Sequence, residues 1–113
     1  MTRSEKAAAF WQRGYNCAQS VLSAFAPEFG VSEDIALKIA CPFGAGIGRQ
    51  QNTCGAVTGA VMALGLKYGT GSDNPAGDKK EAYNKTRLLF EEFRKLNGTV
   101  VCRELLEIGR AHV

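Results

Sequence analysis

Four cysteines, Cys17, Cys41, Cys54 and Cys102, are the side chains with the most chemistry to offer. They stand 24, 13 and 48 positions apart, so no CxxC pair exists. Neither a thioredoxin motif nor a zinc ribbon follows from such spacing. Their neighbours say more. Asn16 precedes Cys17, Thr53 precedes Cys54, and Thr99 lies three residues before Cys102, each a residue type that caps helices. A thiol in a first helical turn meets free N–H groups and the positive end of the helix dipole. These favour the thiolate and draw its pKa from ~8.5 toward about 3.5–7.5. Thiolates attack disulfides and ligate metals. The competing role is plain packing, because cysteine is also a small core hydrophobe. The set of four is expected to converge on one site.

A glycine-rich segment, Phe43-Gly44-Ala45-Gly46-Ile47-Gly48, stands shortly before Cys54 and is expected to form a flexible loop. It does not meet the GxGxxG spacing and no strand precedes it, so it is not a dinucleotide fingerprint. Gly44, Gly46 and Gly48 would let backbone amides turn toward an anion or a sulfur atom. Arg49 would add charge, although a solvated arginine is its ordinary role.

The elements that position these residues are helical. A first helix is expected from a Ser4 cap to about residue 13, burying Ala7, Phe10 and Trp11. A second, capped by Asn16, covers 17–25. A third opens at Ser32 with Glu33 and Asp34 in its first turn and stops at Pro42. A fourth covers 54 to about 67, nearly all apolar and therefore buried on most sides. Gly55 and Gly59 share one of its faces, where a neighbouring backbone could approach closely. The longest helix follows an Asp78 cap to about 97, with Tyr83, Thr86, Leu89, Phe90, Phe93 and Leu96 inward. Its outer face carries the pairs Glu81–Lys85 and Glu91–Lys95. Gly98 ends it, and Thr99 caps a last short helix. The fold class is all-α, one bundle of about five to six helices.

Composition narrows the function. With 113 residues, 45% hydrophobic, the chain suits one small domain, taken as residues 1–106. The net charge of +3 is spread thinly, Lys79-Lys80 being the one adjacent basic pair, which argues against nucleic acid. Neither a signal peptide nor a membrane span is expected, which makes the cytoplasm the expected compartment. Cysteines there serve redox chemistry or metals more than structural disulfides. Residues 107–113 are expected to be a non-native tail, since Ile108 to Val113 also matches the translation of a common sequencing-adapter DNA. His112, the one histidine, is therefore not cast as a ligand or base, and native residues beyond Leu106 are expected to be missing.

The segments Gly14-Tyr15-Asn16-Cys17-Ala18-Gln19, Cys41-Pro42-Phe43-Gly44-Ala45-Gly46-Ile47-Gly48-Arg49, Cys54-Gly55-Ala56-Val57-Thr58-Gly59-Ala60 and Cys102-Arg103-Glu104-Leu105-Leu106 resemble the C_GCAxxG_C_C family. The likeness spans 14–106 and is most specific over 43–65. It implies cysteine-based redox chemistry. It also implies a continuation after Leu106, often with a further cysteine.

Three functions compete. The leading one is a thiol redox protein, an oxidoreductase in which Cys54 is the nucleophile and Cys17, Cys41 or Cys102 resolves the mixed disulfide with a redox partner. The second is a metal-binding electron carrier, its cofactor an iron–sulfur cluster held by Cys17, Cys41, Cys54 and Cys102, or else structural zinc. The third is a helical interaction module, a homodimer joined through Gly55 and Gly59. The first needs no cofactor.

Overall fold

Six helices follow one another: α1 (Arg3–Gln12), α2 (Cys17–Phe25), α3 (Glu33–Ala40), α4 (Gly55–Tyr68), α5 (Lys80–Asn97) and α6 (Cys102–Ala111). Short 3₁₀ turns follow α2, over Ala26–Phe29, and α3, over Cys41–Phe43. The computed structural model describes the backbone of residues 1–111 and the side chains of 1–106. α6 runs on through 107–111, and His112 lies outside the described residues. The all-α expectation is met. One isolated antiparallel bridge, Thr53 with Val101, is the exception among the described residues.

Local chemistry sets the helix starts. The cap of α1 is Thr2, two residues before the expected Ser4. The Thr2 hydroxyl accepts from Glu5 N while the Glu5 carboxylate accepts from Thr2 N, at 3.1 and 3.0 Å. Asn16 and Gln19 make the same reciprocal box at the start of α2. Ser32 caps α3 as expected, accepting from Ile35 N. Asp78 accepts from Lys80 N at 2.8 Å but sits one residue outside the cap position of α5. Gly98, at φ 85°, closes that helix.

The packing is built on small side chains. α2 is central and touches α1, α3 and α4. Its Ala18 and Ala24, with Ala36, Ala40 and Val57 from its neighbours, are fully or almost fully buried. The expected glycine stripe is used within the chain. A Cβ on Gly55 would meet Ala18 N at 3.0 Å and Cys17 Cβ at 3.2 Å, and one on Gly59 would meet Ala18 O at 2.8 Å. That face of α4 is therefore covered by α2, not left for a homodimer.

Close helices leave large side chains at the margins. Trp11, expected inside, is 58% exposed, and Tyr83 and Leu96 of the expected inner face of α5 are also exposed. Phe10 is buried and carries the Arg13 guanidinium 5.4 Å from its ring centre. The paired charges of α5 also differ from expectation: Lys95 reaches Glu92, while Lys85 lies 5.5 Å from the Tyr68 ring centre.

Two glycine substitutions on one helix should act oppositely. Gly59→Ala forces a methyl onto the Ala18 carbonyl and should cost about 2 kcal/mol. Gly65→Ala meets open space and should gain about 0.5–1 kcal/mol. Urea unfolding of both variants checks this. Equal midpoints would contradict the close α2–α4 contact.

Candidate functional site

Three of the four cysteines lie where α2, α4 and α6 begin. Cys17 is the first residue of α2, Cys54 the N-cap of α4, and Cys102 the first residue of α6. Cys54 was expected inside the first turn. It stands just before it, in extended backbone, and its carbonyl accepts from Val57 N and Thr58 N. All three are half-buried.

Two contacts bring them together. The first is the glycine approach: with no side chain on Gly55, the start of α4 seats directly against the Cys17 Cβ. The second is the bridge. Cys54 N donates to Val100 O at 2.7 Å and Cys102 N donates to Asn52 O at 2.5 Å, flanking the pair Thr53 and Val101. Cys54 and Cys102 therefore each stand one residue past a member of the bridged pair, and their backbone N–H groups donate across it in opposite directions. The Thr99 hydroxyl accepts from Val101 N and bonds the Glu104 carboxylate, which fixes the turn into α6.

Cys41 is elsewhere. It ends α3, at the negative end of that helix, and is exposed. Its backbone is nonetheless tied to Cys17's neighbour: Asn16 Nδ2 donates to Cys41 O at 3.1 Å, and Gln19 Nε2 donates to Leu37 O at 3.0 Å. The capping pair of α2 thus also bonds two carbonyls at the end of α3, which accept in addition from Cys41 N and Gly44 N. Sequence reasoning found Asn16 only as a cap. The Asn-x-x-Gln spacing was the available signal for the reciprocal box.

The loop after Cys41 has a left-handed backbone held by its own hydrogen bonds. Residues 45–49 all have positive φ, with Ala45 at 51°, Ile47 at 69° and Arg49 at 64° alternating with Gly46 and Gly48, and Gln51 follows at 59°. Each non-glycine there costs about 1–2 kcal/mol. Backbone bonds offset the strain: Ile47 N reaches Phe43 O, Gly48 N reaches Pro42 O at 2.7 Å, and Asn52 N reaches Gly46 O at 2.9 Å. Gly48 N is therefore engaged, as is Gly44 N with Cys41 O. Gly44 has a different use, since a Cβ there would strike the Asn16 side-chain amide. Gly46 is buried beneath Gln51 and Asn52.

Electrostatics couple the three thiols. Burial pushes the Cys17 thiol above its ordinary pKa, and the nearby sulfurs of Cys54 and Cys102 push it the same way; the backbone N–H of Cys17 itself opposes them more weakly. The helix-end expectation of a lowered pKa fails here because desolvation outweighs the amides. Among the described residues, no group of three or more His, Cys, Asp or Glu side chains converges closely enough to hold a metal ion. No helix among them is long and apolar enough to cross a membrane.

The family model described as "Putative redox-active protein (C_GCAxxG_C_C)" matches residues 15–112, taking in all four cysteines and the glycine loop. No curated protein and no solved structure matches the chain.

Cys17 alkylation should reflect its neighbours. The folded pKa lies above the ordinary cysteine value, so the protonated thiol's stabilising share is intact below the ordinary value and lost as pH rises through the folded one. Peptide-resolved iodoacetamide rates should place the Cys17 midpoint above that of the unfolded chain. In Cys54→Ser/Cys102→Ser the midpoint should fall yet stay above the unfolded one, because burial remains. A midpoint unmoved by the double substitution would contradict the coupling.

Proposed function

Since the chain belongs to the C_GCAxxG_C_C family of redox-active proteins, we propose that it performs thiol–disulfide exchange, with Cys54 as nucleophile and Cys102 as resolving thiol. The observation that supports this reading is the Thr53–Val101 bridge, whose two flanking backbone hydrogen bonds are donated by Cys54 N and Cys102 N. Cys17 is the less suited partner. Its raised pKa leaves little thiolate near neutral pH, and thiolate is the attacking form. Cys41 is exposed and at the far end of α3.

The exchange balances as follows. The Cys54 thiolate attacks one sulfur of a substrate disulfide, forming a mixed disulfide and expelling the other sulfur as a thiolate. Cys102, deprotonated, attacks the Cys54 sulfur and expels the second substrate thiolate. The protein loses two electrons and holds a Cys54–Cys102 disulfide, while the substrate disulfide becomes two thiols. A dithiol donor reverses the change. Mixed-disulfide chemistry requires an approach to Cys54 from solvent, and its half-buried position is consistent with one.

The same bond would have a mechanical effect. α6 makes no broad contact with any other helix among the described residues, so the bridge is its main tie. Closing a loop between positions 54 and 102 would pin α6 and remove about 4 kcal/mol of unfolded-chain entropy. A metal-centred reading finds less support, because no three His, Cys, Asp or Glu side chains among the described residues converge closely enough to hold an ion.

Glutathione disulfide tests the proposal. Treated protein should lose two hydrogens in mass, and peptide mapping should place the bond between Cys54 and Cys102. Cys54→Ser should abolish the change, Cys102→Ser should trap the glutathione adduct on Cys54, and Cys41→Ser should react normally. A brown anaerobic preparation with stoichiometric iron and sulfide, or unchanged mass after treatment, would overturn it. The oxidised form should also resist urea better, by about 2–4 kcal/mol. Equal stability of both forms would argue against the bond closing across the bridge.

A further inference from the structure

At the other end of α4 lies a second feature, roughly 15 Å of helix rise from Cys54. A cavity of about 400 Å³ opens between the C-terminal half of α4, α5 and the end of α2. Phe25, Ala60, Ala63, Leu64 and Leu89 give it an apolar interior. The volume lies within the range of small-molecule sites, which are mostly apolar with a few polar groups at fixed places.

Three cations and one anion also line it. Arg3, Lys67, Lys85 and Glu92 border it. Two of these are already compensated: Arg3 grips Glu28 at 2.8 Å, and Glu92 pairs with Lys95 at 3.4 Å. Lys67 and Lys85 have no carboxylate within ion-pair distance among the described residues. Both ammonium groups instead gather over one ring, 5.3 and 5.5 Å from the centre of Tyr68. The ring face attracts each cation, but the two repel each other. An anion between them would relieve that repulsion.

We propose that this cavity binds an amphiphilic monoanion, an aryl or medium-chain alkyl body inside it and a carboxylate or sulfonate headgroup between Lys67 and Lys85. A second copy of the chain is a poorer occupant. An isologous contact across this face would bring the same two uncompensated lysines from each protomer toward one another. The binding is separate from the cysteine chemistry and would stand if that chemistry failed.

The test uses the full chain with 8-anilinonaphthalene-1-sulfonate and its uncharged relative N-phenyl-1-naphthylamine. The anionic probe should bind once per chain and be displaced by dodecanoate. Lys67→Glu/Lys85→Glu should weaken the anionic probe about tenfold and leave the neutral one within about twofold. The milder Lys67→Gln/Lys85→Gln pair should shift it less, in the same direction. Raising salt from about 0.01 to about 1 M, which shortens the screening length from about 30 to about 3 Å, should also weaken only the anionic probe. Equal effects on both probes would overturn the proposal. So would anionic-probe affinity that falls as the chain self-associates at higher concentration, since a second copy would then be the occupant.

Discussion

The contact on which the rest of the molecule depends is the approach of α2 to α4 across Gly55 and Gly59. Two helices rarely come so near that one backbone lies under the other's missing side chains. Here the Ala18 N–H and carbonyl occupy the space that methyl groups would need. The arrangement gives up helix propensity, about 1 kcal/mol for each glycine relative to alanine, in exchange for packing. Its consequence is positional. Cys17 opens the helix that seats on Gly55, and Cys54 is the residue before Gly55. The Cys-Gly-Ala-Val-Thr-Gly segment is therefore one structural unit, in which the glycines decide what the cysteine stands beside.

A second layer holds that unit. The reciprocal Asn16–Gln19 cap starts α2 and spends its remaining amide donors on the last carbonyls of α3. From there the chain enters a left-handed run over 45–49 that returns it to the start of α4. Strain of this kind persists only where surrounding bonds over-determine the backbone, and it concentrates near functional sites. Three residues past the run stands Asn52, whose carbonyl receives Cys102 N. The glycine loop thus leads into the pairing that α6 joins, and its Gly44 and Gly48 amides are bonded within the chain.

Much of this was legible in the sequence. Helix number, the Asn16 and Ser32 caps, the stop at Gly98 and the close-approach role of Gly55 and Gly59 all follow from short-range chemistry, and short-range chemistry is written locally. The failures are those of long range. Trp11 looks like a core residue by type, yet a core narrowed by alanine and glycine has no room for it. The Thr53–Val101 pairing joins residues 48 positions apart and is one residue pair long, too short to produce a strand pattern. The left-handed run includes Ala45, Ile47 and Arg49, residue types that disfavour positive φ, so nothing in their identity announces it. Among the cysteines, the expected first-turn placement holds for Cys17 and Cys102, which open α2 and α6. It said nothing of the desolvation that governs Cys17.

Cys17, Cys54 and Cys102, distant in sequence, stand where α2, α4 and α6 begin, while Cys41 stands at the end of α3. A trivalent arsenical, phenylarsine oxide, bridges two thiols only when they are close, and reports on that directly. Titrating the reduced chain should consume one arsenical per chain and shield Cys54 together with one neighbour, Cys102 or Cys17, from later alkylation. Cys41 should remain fully reactive. Failure to bind the arsenical, or protection of Cys41 in place of Cys54, would contradict the account.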